Sequence, residues 1–182
     1  MEPLIQLAPG AEQSGLATML AKLLRQNLDD HPDKRARVAT MAGRVTLIAT
    51  DLATTAGGGA VTLRFDRGRV EVGAGTVGVP DVVVRTRSET LMQMSLVELG
   101  PKGLPDPRGD GTRAMIAATR RGDIEEHGAL GHLALVLGLT EVMSVQARAE
   151  TWDLRGLVTS APGLVARRAG DLLRGLRAPK RP

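Results

Sequence analysis

The chain has 182 residues, 42% of them hydrophobic, with a formal net charge of +4. That is the size of one domain, or of one domain with an appendage. Aromatic residues make up 1%, Phe65 and Trp152, which argues against a base-stacking nucleic-acid surface, and the absence of cysteine removes disulfides, thiolate metal sites and cysteine nucleophiles together.

The first ten residues hold a short apolar stretch between Pro3 and Pro9 with no basic run before it, so no secretory signal is expected. The apolar stretch Ala129 to Leu139 contains His132 and is too short to span a bilayer, which takes roughly 20 residues. A cytoplasmic protein follows as the expectation. Charge is unevenly placed. Between Val165 and Pro182 six basic residues face one acid, Asp171, so the basic character belongs to the C-terminal end and the rest is close to neutral.

Leu16, Leu20, Leu23, Leu24 and Leu28 fall on one helical stripe, and Pro32 closes that helix. A short helix from about Asp33 to Met41 should stop before Gly43. Period-2 alternation then takes over. Val45, Leu47 and Ala49 share one face, as do Val61, Leu63 and Phe65, then Val70 and Val72, then Val82 and Val84. One apolar and one polar face predict an antiparallel sheet covered on one side. Gly57-Gly58-Gly59 and Asp66-Arg67-Gly68 supply turns. Ser88 is placed to cap a short helix through Leu91 and Met94, and residues 100–111, with three prolines and four glycines, read as loop. A helix around Thr112–Arg120, a short strand between Gly122 and Gly128, and a helical run through Leu130, Leu133, Leu137 and Met143 complete an α+β chain.

Three stretches in this order resemble the sterol carrier protein type-2 family. Gly43–Asp51 followed by Val61–Val72 is similar to that family's first three strands. Pro80-Asp-Val-Val-Val-Arg-Thr-Arg-Ser-Glu-Thr-Leu91 is similar to its strand-to-helix step, and Arg121-Gly-Asp-Ile-Glu-Glu-His-Gly-Ala-Leu130 to its glycine-flanked last strand. The resemblance runs from about Leu16 to Val145. It implies a mostly antiparallel five-stranded sheet covered on one face by helices, with an apolar tunnel for a fatty acyl chain, sterol or similar lipid. Residues 1–13 are then a lead, 14–147 the lipid-binding domain and 148–182 an extension. The lining expected from inward strand positions and late helix faces is Leu47, Leu63, Phe65, Val84, Met94, Ile124, Leu133 and Leu137. Two departures stand out. The loop at 97–111 is longer than in compact members, and Glu126 occupies an interior position of the last strand. Glu126 at a tunnel mouth is one reading; a frayed edge with Glu126 in water is the preferred one.

Other motifs carry no chemistry. Gly73-Ala74-Gly75-Thr76-Val77-Gly78 spells a dinucleotide fingerprint but leads into a strand where the mechanism needs a helix. Arg-Gly-Asp at 108–110 and 121–123 is chance in an arginine- and glycine-rich chain. His31, His127 and His132 lack metal-ligand spacing, so no metal is expected. No serine sits in a nucleophile motif, so neither catalysis nor a cofactor is expected.

The C-terminal end is amphipathic. Val165, Ala169, Leu172, Leu173 and Leu176 share one helical stripe, with Arg167, Arg168, Arg174 and Arg177 on or beside the opposite face. Such a helix suits an anionic bilayer, with Trp152 as an interfacial anchor, and it suits equally a packing surface on its own domain or on a protein partner. Two functions follow: a non-enzymatic carrier of a hydrophobic ligand that docks on membranes, and an accessory or scaffold subunit of the same fold in a lipophilic biosynthetic pathway.

Overall fold

The computed structural model describes residues 4–52, 59–66 and 68–149, all of which lie in the unit Met1–Glu150. Trp152, Arg167, Arg168, Leu172, Arg174, Leu176 and Arg177 lie outside the described residues, so the reading of the C-terminal end is carried by sequence alone.

The leucine stripe forms helix α1 (Gly15–Asp30), with Leu16, Leu20, Leu24 and Leu28 buried. Ser14 caps it by accepting from the Ala17 N–H at 3.3 Å. Helix α2 (Lys34–Thr40) follows Pro32. Strands β2 (Gly43–Ala49), β3 (Ala60–Asp66) and β4 (Arg69–Ala74) form an antiparallel meander, and β5 (Val82–Thr86) returns to the other side of β2. Helices α3 (Ser88–Gln93), α4 (Asp110–Arg121) and α5 (Leu133–Met143) come afterwards, with the strand Glu125–His127 before α5.

Two expectations about the sheet are corrected. It has six strands, because Ile5–Leu7, assigned above to a lead, is a strand (β1) beside β4, and Glu125–His127 becomes β6 in the order β1-β4-β3-β2-β5-β6. It is mixed, because β1 runs parallel to β4 and β5 parallel to β2. Alternation reports which face a residue takes and is blind to the direction of the neighbouring strand. Three residues are also too few to show a period. β1 is held by burial of Ile5, by its backbone register with Val70 and Val72, and by the Arg25 guanidinium, which donates to the Ile5 carbonyl.

The start of α3 differs in detail. Arg87 takes the cap position and Ser88 is the first helical residue. The capping carboxylate comes from Asp51, which accepts from both the Ser88 N–H and its hydroxyl at 2.7 Å. These two hydrogen bonds hold the Asp51 carboxyl below its ordinary range. The loop at 100–111 carries one turn of 3-10 helix at Pro101–Gly103, and Leu130, expected on the last helix, is 97% exposed ahead of it.

The end of α5 is pinned from the N-terminal helices. Asn27 Nδ2 donates to the carbonyls of Val142 (3.1 Å) and Met143 (2.7 Å). The Lys34 ammonium donates to Ser144 (2.6 Å) and Gln146 (2.8 Å), and the His31 ring meets the Val145 carbonyl at 3.0 Å. Within α5, fully buried Glu141 pairs with Arg37 at 2.5 Å and with Arg148. These side chains satisfy carbonyls that a helix end leaves without intrahelical partners.

Burial lowers the Lys34 pKa from 10.5 to about 8, against the attraction of Asp33 and Glu141. Between those two values the unfolded chain holds the Lys34 proton more than the folded one does, so the contribution of Lys34 to unfolding free energy rises with pH across that window. Urea unfolding of the wild type and of Lys34→Met at several pH values from 7.5 to 10.5 should show the wild type gaining on the variant as pH rises. A difference independent of pH would count against it.

Candidate functional site

α1 packs on β1, β4 and β3, and that part of the domain is filled: Leu47, Leu63 and Phe65 are buried side by side in the continuous core. Toward the β6 edge the packing opens. A cavity of about 600 Å³ lies there, bounded by Val82 and Val84 of β5, Glu126 of β6, Met94 and Val97 after α3, Pro105 and Pro107 of the long loop, one face of α4, and Val136 to Thr140 of α5. Its size is in the usual range for small-molecule sites.

The α4 face consists of Thr112, Met115, Ile116, Thr119 and Arg120, spaced as one helical stripe. Exposure rises along that stripe. Thr112 is buried at 7%, Met115 is half-buried, Ile116 is 43% exposed, and Thr119 and Arg120 are exposed. The cavity therefore has a buried end at Thr112 and an open end at Arg120, about 12 Å apart at the helical rise per residue.

Polar groups on the walls are few. The Thr119 hydroxyl donates to the Met115 carbonyl (3.1 Å) and the Thr140 hydroxyl to Val136 (3.0 Å), each within its own helix. At the buried end the Thr112 hydroxyl has no hydrogen-bond partner among the described residues. Beside it the Glu98 carboxylate occupies the α4 N-terminus, accepting from the N–H groups of Gly111 (3.0 Å) and Thr112 (3.3 Å). Among the described residues no group of three or more carboxylate or imidazole side chains could hold a metal.

The residues expected to line the site divide. Val84, Met94 and Leu137 border the cavity. Leu47, Leu63, Phe65 and Ile124 are buried in the core outside its lining, and Leu133 is 56% exposed at the start of α5. Glu126 is exposed, as the preferred reading has it, and it borders the cavity. A helix around Thr112–Arg120 is expected from the sequence, but its stripe was not counted in the lining, although the spacing of three, four and seven residues from Thr112 carried the signal. No tunnel is seen among the described residues; the space at the β6 edge is a partly open cavity.

The turn between β6 and α5 sits tightly against the chain entering β5. Gly128 has φ +79°, and a Cβ there would fall on the Asp81 carbonyl at the start of β5. At Gly131 in the same turn the nearest atom to a Cβ would be 3.7 Å away. Gly128→Ala should cost about 2 kcal/mol or more, combining a left-handed conformation with a collision, whereas Gly131→Ala should stay within about 0.5 kcal/mol. Chemical unfolding of both variants checks this, and equal costs would contradict it.

One comparison with known proteins, a family match, agrees with the resemblance read from the sequence. Residues 20–104 match the model of the SCP-2 sterol transfer family. The solved structures similar to the chain include the following two. One is described as "UbiJ-SCP2 Ubiquinone synthesis protein", at 17% identity and a TM-score of 0.48, covering 71% of this chain and 96% of that one. The other is a crystal structure of sterol carrier protein 2, at 18% identity and a TM-score of 0.44, covering 70% and 92%. No curated protein matches.

Proposed function

From a chain whose residues 20–104 match the SCP-2 sterol transfer family, we propose a non-enzymatic protein that binds and transfers a hydrophobic ligand in the cavity between β5 and helices α4 and α5. The observation that carries this reading is the cavity itself, about 600 Å³ with mostly aliphatic walls. Burying hydrocarbon there supplies about 0.8 kcal/mol per methylene, less the cost of ordering the chain. An acyl chain, a sterol-like ring system and an isoprenoid all meet that requirement.

Native mass spectrometry of the purified protein, followed by organic extraction, tests the reading. A lipid or quinone released at near one-to-one supports it. An apo mass that persists after incubation with fatty acids, acyl-CoA and sterols would replace it with the accessory or scaffold role. Met115→Trp should fill the cavity from the α4 side and weaken binding of a fluorescent acyl probe about tenfold or more, since overpacking typically costs 1–3 kcal/mol. Undiminished binding by that variant would place the ligand elsewhere.

The basic amphipathic C-terminal stretch is proposed to hold the carrier on an anionic bilayer during loading, through Trp152, Arg167, Arg168, Leu172, Arg174, Leu176 and Arg177. No described helix is long and apolar enough to cross a membrane. Deleting residues 163–182 should weaken binding to phosphatidylglycerol-containing vesicles and reduce its salt sensitivity, while ligand content and melting temperature stay unchanged. Vesicle binding unaffected by the deletion would remove the membrane role.

A further inference from the structure

We propose that the cavity selects its ligand by length. Val97, together with Pro105 and Pro107 of the long loop, is a fixed stop at the buried end, and the hydrocarbon tail of the ligand ends against it. This rests on the ligand-binding reading above and adds the direction in which the ligand lies and the feature that limits its size.

Three observations carry it. The first is where this wall stands. Val97 lines the cavity and is 3% exposed. Both of its neighbours lie against the first turn of α4. The Glu98 carboxylate accepts from the N–H groups of Gly111 and Thr112, and a Cβ on Gly111 would collide with the Leu96 carbonyl. Pro105 and Pro107, also in the lining, come from the stretch that leads into the same turn. The wall therefore closes the cavity at the Thr112 end, opposite Arg120.

The second is what stands behind it, because a wall limits length only if it cannot retreat. The Ser144 hydroxyl donates to the Val97 carbonyl at 2.6 Å. On either side of that bond the Val145 N–H donates to Ser95 (2.8 Å) and the Ala149 N–H to Leu99 (3.0 Å). Residues 144–149 thus hold every second carbonyl of the stretch 95–99, as a neighbouring extended chain does. The carbonyl that points the other way, that of Glu98, accepts from the Asp106 N–H at 2.8 Å. Residues 144–149 are fixed in turn by Lys34, which donates to Ser144 and Gln146, and by Arg148, which pairs with Asp33 and Glu141. The backbone behind Val97 is bonded on both sides.

The third observation sets which end of the ligand arrives. Arg120 and Glu126 border the cavity and are exposed, so a charged or hydrated head left beside them keeps its water. Carried to the buried end, the same head would lose that water and meet the Glu98 carboxylate. Methylenes sent inward gain from burial instead. The tail leads, and the residue it reaches is Val97.

Competition of saturated fatty acids of increasing chain length against the fluorescent fatty acid cis-parinarate tests this on the full chain, at concentrations below micelle formation. In the wild type, affinity should rise about two- to fourfold with each added carbon and then cease to rise at one length. Val97→Ala should move that break to a chain longer by about one or two carbons, and Val97→Ile should move it to a shorter chain. Ser144→Ala, which removes one bond behind the wall, should raise affinity only for chains beyond the break. Affinity that climbs without a break in the wild type, or a break that none of the three variants moves, overturns the stop and leaves the carrier reading standing. A loss by the same factor at every length would make these residues structural and overturn the stop as well. Failure of the wild type to bind parinarate or any of the acids overturns both.

Discussion

The helix that forms one wall of the cavity is held at its C-terminal end by side chains from more than a hundred residues earlier. Asn27, His31 and Lys34 take up the carbonyls of residues 142–146, and Glu141 is fixed between Arg37 and Arg148. A helix end in the interior needs such partners, and here they are supplied by α1 and α2, which pack on α5. Val136, Leu137, Leu139 and Thr140 lie within two turns of that clamp, so the position of the wall is set by polar chemistry on the far side of the helix. The apolar cavity depends on a buried network that touches none of its contents.

That arrangement divides the labour within the sheet. Under β1, β4 and β3, α1 closes on the strands and leaves nothing to fill. Around the cavity the helices are α4 and α5, and the long loop before α4 packs against α5. Gly103 of that loop, with φ +73°, lies so close to Glu141 that a Cβ would collide with the carboxylate. Ser144 reaches back to the Val97 carbonyl at 2.6 Å, and Val145 pairs with Ser95. The long loop is thus part of the wall, contributing Pro105 and Pro107 to the lining and Glu98 to the α4 terminus.

Sequence periodicity revealed the leucine stripe of α1, the meander of β2 to β4 and the α+β class, because each rests on a repeated choice between two faces. It failed where a single residue or a partner decides. Ile5–Leu7 is too short for a period. The direction of β5 beside β2 depends on how the chain from Gly75 to Asp81 returns, which alternation does not encode. Lys34 and Glu141 drew no notice in the sequence because their partners are distant along the chain, yet both are fully buried. The site followed the same division. Inward strand positions were identified correctly as interior, but interior is not the same as cavity. Leu47, Leu63 and Phe65 lie in the filled core, while Val84, on the strand next to that of Leu47, borders the cavity.

β6 has a further consequence for the assembly of the molecule. It is an outer strand of three residues, Glu125, Glu126 and His127, all exposed, and it pairs with β5 on one side only. An unpaired strand edge invites a second chain to continue the sheet, and natural edges resist this by being short and charged. Here two adjacent carboxylates would meet their own copies across any such junction. The border of the cavity that Glu126 provides is therefore also a stop to edge-to-edge growth, and the opening stays clear of a neighbouring sheet.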